Sequence, residues 1–182
     1  LLFDYYRVHN TAFTKDVHAP YRRFLRGLLG ASEETTDQIR ICDPCNRRHL
    51  ERFPPEVIRP WIEGRTASGE VLPGYSDPQT LFMLGEDAQS CMMVKPRQRN
   101  TNRALLSFLL HGNVRVLGAK DSSGKLRTRA VVKLLEDKDT RRPILYVESP
   151  VHVGGGGPDA VLEVYDQAAE LGSALGLPVV YT

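Results

Sequence analysis

Residues 143–182 read "PILYVESPVHVGGGGPDAVLEVYDQAAELGSALGLPVVYT". The fold follows from how this stretch divides. Its start, "PILYVESPV", is apolar and follows the polar turn "DKDTRRP", which predicts a strand. Val161, Val164, Tyr165, Ala168, Leu171 and Leu175 then recur at helical spacing. Pro158 suits the first helical position, where a backbone N–H is not needed. Asp159 complements the positive end of the helix. Gly176 supplies the stop signal, and "LPVVYT" reads as another strand. The unit is β–loop–α–β, and such a crossover makes its two strands parallel.

Working back from this unit, "VRVLGAK" and "KLRTRAVVKLLE" flank "DSSG", a hairpin signal. In the second arm Leu126, Thr128, Ala130, Val132 and Leu134 alternate with Lys125, Arg127, Arg129 and Lys133. Alternation of that kind predicts one buried face and one basic face. "TNRALLSFLLHGN" reads as a helix, capped near Thr101 or Asn102 and ending at Gly112 or Asn113. Residues 1–75 read as a helical, irregular N-terminal extension. Within it Tyr21, Phe24, Leu25, Leu28 and Leu29 lie at helical spacing before Gly30. "PPEVIRPWIEG" follows, with Val57, Ile58, Trp61 and Ile62 as its apolar side. The turn-rich "RTASGEVLPGYSDPQ" then suggests a soft boundary before an α/β domain at 76–182. The expected class is α/β (α+β), a mixed central sheet with flanking helices preceded by a helical extension.

The four glycines, Gly154–Gly157, sit between strand and helix. A glycine turn there presents N–H groups beside the positive helix end, where phosphate fits. Walker A needs Lys and Ser or Thr after the glycines, but Pro158 and Asp159 stand there. The dinucleotide fingerprint fails as well, because Asp159 occupies the place of its third glycine. A flexible surface turn is the plain alternative.

Composition bounds the partners. The 182-residue chain has 41% hydrophobic and 25% charged residues, as a folded globular protein does. A net charge of +2 gives no strong global field toward nucleic acid or membrane. No apolar run approaches the roughly 20 residues that span a bilayer, and "LLFDYYRVHN" does not read as a signal peptide. The lack of an initiator Met suggests a piece of a longer protein. Three cysteines suit a reducing, cytoplasmic setting better than a disulfide scaffold.

The order helix, β-hairpin, strand, glycine loop, helix, strand resembles the GCN5-related N-acetyltransferase family. "VRVLGAKDSSGKLRTRAVVKLL" is similar to that family's second and third strands, and residues 144–182 to its acetyl-CoA-binding segment. The resemblance implies an acyl-CoA-dependent N-acyltransferase or a degenerate relative, with acetyl-CoA as cofactor and a small-molecule or protein amine as acceptor. It implies that the strand backbone at Val151 and Val153 holds the pantetheine arm. The loop Gly154, Gly155, Gly156, Gly157 would hold the pyrophosphate. The family's loop reads Arg/Gln-x-x-Gly-x-Gly/Ala; here Gly156 fits, whereas Val153 and Pro158 depart from it, so the cofactor motif is degenerate. The resemblance also implies a base on the strand entering the loop, for which Glu148 is the candidate. A base needs reach to the proton it removes. The bland reading of Glu148 is a carboxylate paired with Arg127 or Arg129 across the sheet. Tyr165 or Tyr146 is a candidate general acid, although each fits a packing role better.

Other residues offer separate chemistry. Cys42, Cys45 and His49 form C-x2-C-x3-H, a spacing that suits zinc if Cys91, His9 or His18 adds a fourth ligand. Cys91 is a candidate nucleophile for a Cys-dependent protein-modifying domain, with His111 or His152 as base. "CMMV" around it equally reads as a core strand. Lys95, Arg97, Arg99 and Arg103, with Arg127, Arg129, Lys133, Arg141 and Arg142, would make a basic surface for nucleic acid or an acidic protein partner. On that reading the chain is a non-catalytic interaction domain of a larger protein.

Overall fold

The structure, a computed structural model, describes residues 50–87, 111–152 and 158–182. In chain order they form α1 (Pro55–Glu63), α2 (Pro78–Asp87), β1 (Val114–Lys120), β2 (Leu126–Glu136), β3 (Pro143–Val147), β4 (Val151–His152), α3 (Pro158–Leu175) and β5 (Val179–Tyr181). The sheet order is β1-β2-β3-β5, with β4 paired to β2. The β1–β2, β2–β3 and β2–β4 pairs are antiparallel, and β5 runs parallel to β3. The result is the expected mixed sheet with flanking helices, and the α3 crossover makes its strands parallel as predicted.

Local chemistry sets the elements. In the β1–β2 turn Asp121 accepts the Ser123 N–H at 2.8 Å, and Gly124 takes φ 80. Those are the roles an Asx turn and a left-handed position give to Asp and Gly. At the end of α3 Gly176 is left-handed at φ 64. The Leu177 N–H reaches the Gly172 carbonyl at 2.8 Å, and the Gly176 N–H reaches that of Ser173 at 3.2 Å. That double closure is a Schellman cap. α1 starts with Pro55 in its first turn and ends at left-handed Gly64. α2 was not anticipated. Asp77 caps it, its Oδ1 accepting the Thr80 N–H at 2.8 Å, and Pro78 follows at the first helical position.

Alternation assigns each residue to a sheet face. Ala130, Val132 and Leu134 of β2, with Leu117, Leu145 and Val147, pack against Val164, Ala168, Leu171 and Leu175 of α3. Leu50, Phe53, Val57, Trp61 and Leu72 belong to the same core. Each Val, Leu or Phe among them contributes on the order of 1.5–3 kcal/mol by leaving water. Trp61 also donates its indole N–H to the Gly112 carbonyl at 2.9 Å, and Tyr75 bridges to Val116. Residues 50–75 thus pack on the core of the sheet; the rest of the expected extension, 1–49, lies outside the described residues.

The other face is also covered. Val114, Val116 and Val131 are buried, and Leu81 and Leu84 of α2 are fully buried. Arg129, expected on a solvated basic face, is 2% exposed and donates its Nε–H to the Leu84 carbonyl at 2.8 Å. Arg115 is 4% exposed, lies over the Trp61 ring, and donates to the carbonyls of Trp61 and Gly74. Two arginines of the sheet are thus interior hydrogen-bond donors. The expectation of a basic face fails at Arg129 because α2 covers it.

Candidate functional site

β3 and β4 are one strand interrupted once. Val147 pairs with Val132, the Glu148 N–H bonds the Val131 carbonyl at 2.9 Å, and Val151 pairs with Arg129. Ser149 and Pro150 together face the single residue Ala130. This is a β-bulge, and a proline is tolerated there because the ladder is already broken.

β5 pairs with β3 from Leu145↔Val179 to Val147↔Tyr181. The Thr182 N–H reaches the Val147 carbonyl at 3.3 Å, and Ser149 Oγ lies 3.2 Å from Thr182 Oγ1. β4 pairs with β2.

Glu148 emerges at the bulge on the face that carries Lys133 and Tyr146, which are register partners. Its carboxylate makes an ion pair with the Lys133 ammonium, and both side chains are half-buried. The partner found is Lys133; of the two arginines expected across the sheet, the Arg127 side chain lies outside what the structure describes. Lys133 and Arg129 flank Val131, the residue opposite Glu148, and the bulge lies on the Arg129 side. Arg129 is turned to the Leu84 carbonyl.

Tyr165 of α3 stacks edge-to-face on Tyr181, with ring centroids 5.2 Å apart. Tyr181 is paired with Val147, so this contact lies on the α3 face. Glu148 and Tyr165 are therefore not brought together, because the sheet lies between them. Tyr146 is the tyrosine that shares the face of Glu148.

At β4, His152 Nδ1 lies 2.7 Å from Thr128 Oγ1, a contact that ties the end of the strand to β2. Val151 holds its expected place on the strand leading to the glycines. Val153, Gly154, Gly155, Gly156 and Gly157 lie outside the described residues, as do Cys91, Cys42, Cys45 and His49. Among the described residues no group of His, Cys, Asp and Glu could hold a metal. None of the described helices is long and apolar enough to cross a membrane.

Lys133 is one of the alternating basic residues of β2, and its pairing with Glu148 depends on the β2–β3 register, which sequence alone does not reveal. The turn Asp137–Arg142 fixes that register: the Asp137 N–H bonds the Arg142 carbonyl at 2.8 Å and the Arg141 N–H bonds the Asp137 carbonyl at 2.9 Å.

No family model and no curated protein sequence matches the chain. Among solved structures, a ribosomal-protein-alanine N-acetyltransferase from Brucella melitensis biovar Abortus 2308 is similar over 59% of this chain and 75% of its own. The TM-score is 0.44 and the sequence identity 20%.

Proposed function

We propose that the chain is an acyl-CoA-dependent N-acyltransferase, or a descendant that retains the cofactor cleft. The observation that carries this reading is the bulge at Ser149 and Pro150, which interrupts the strand that leads into the glycine loop. A bulge turns backbone groups out of the ladder, and such groups suit an extended ligand that carries amide groups, as a pantetheine arm does.

In this reading Val151 and Val153 supply the backbone groups that align the arm. Gly154, Gly155, Gly156 and Gly157 take the pyrophosphate beside the N-terminus of α3. Glu148 accepts the proton of the acceptor amine. The amine nitrogen then forms a C–N bond to the acyl carbon as the C–S bond breaks, and the CoA thiol leaves. Tyr146, on the face of Glu148, is better placed than Tyr165 to return a proton to the leaving sulfur.

The test is acetyl-CoA titration by calorimetry, with a thermal-shift measurement beside it. Binding heat and a raised Tm at millimolar cofactor are expected. Absence of both would sink the reading.

A further inference from the structure

We draw no further inference here: the strongest candidate, the exposed apolar patch of Leu162 and Tyr181 beside Tyr165 where α3 meets β5, carries nothing because nothing in the structure shows what covers it.

Discussion

The Glu148–Lys133 pair is half-exposed, and pairs of that kind contribute about 0–1 kcal/mol. Its loss should therefore be felt in chemistry far more than in folding. Glu148→Gln is expected to change unfolding free energy by less than about 1 kcal/mol and, on the proposed acyltransferase reading, to lower acyl transfer to a primary amine by about 10²–10⁴-fold. Urea denaturation and a transfer assay on one preparation check both. A stability loss with transfer unchanged would make the pair structural. Gly118 is the opposite case. Its φ is +147, and a Cβ there would run into the Thr128 carbonyl oxygen, a backbone atom with no freedom to yield. Gly118→Ala is expected to cost roughly 1–3 kcal/mol, read as a lowered urea midpoint. A midpoint unchanged from the parent chain would show that the hairpin relaxes freely. At this scale the sequence revealed the carboxylate at the strand end but not its partner. Lys133 and Arg129 flank Val131, the residue opposite Glu148, but the bulge lies on the Arg129 side and Arg129 is turned to the Leu84 carbonyl, far away in the chain.

Among the elements, α3 and β5 meet at Gly172. A Cβ there would strike a methyl of Val179 and lie 3.0 Å from the Leu177 carbonyl. Alanine in a helix gains about 1 kcal/mol over glycine, whereas overpacking costs roughly 1–3 kcal/mol. The packing term wins, so Gly172→Ala should lower stability. Adding Val179→Ala removes one of the two clashes, and the double variant should lose less than the sum of the single ones. Strict additivity in the denaturation midpoints would refute that coupling. The turn between β2 and β3 carries a pH signature. Thr140 donates its hydroxyl and backbone N–H to the Asp137 carboxylate, each at 2.7 Å. These bonds, the hydroxyl first, hold the carboxyl below its usual value. A depressed folded pKa gives stability that is present above the unfolded value, about 3.9, and is lost as pH falls through the folded one. Asp137→Asn should therefore flatten part of the stability loss in acid and leave the slope near neutrality unchanged, as urea melts from pH 2 to 7 would report. The β1–β2 hairpin, α3 and both strands of the crossover were legible because their turn and cap residues are local. α2 went unread although Asp77-Pro78 is a start signal, because the turn formers before it dominate the window.

Taken as a whole molecule, the described residues share one core to which α1 and the sheet both contribute. Trp61 is 3% exposed and hydrogen-bonded to Gly112 across 51 residues of chain. Trp61→Ala is expected to cost about 3–5 kcal/mol and to lower a single transition. Two separated transitions would instead restore a boundary between residues 50–75 and the sheet. Turn formers punctuate the sequence near residue 75, but punctuation does not say whether two apolar faces meet. The long reach from Trp61 to Gly112 has a kinetic consequence. The sheet joins β1 to β2 and β2 to β3 through tight turns, whereas docking α1 must close a far larger loop before any contact rewards it. The hairpin and crossover should assemble first and the N-terminal segment should dock late. In chevron measurements Trp61→Ala should then act chiefly on the unfolding arm, with φ near 0–0.3. The side chain that contributes most to holding α1 on the sheet would set how long the native state lasts and scarcely affect how fast it forms.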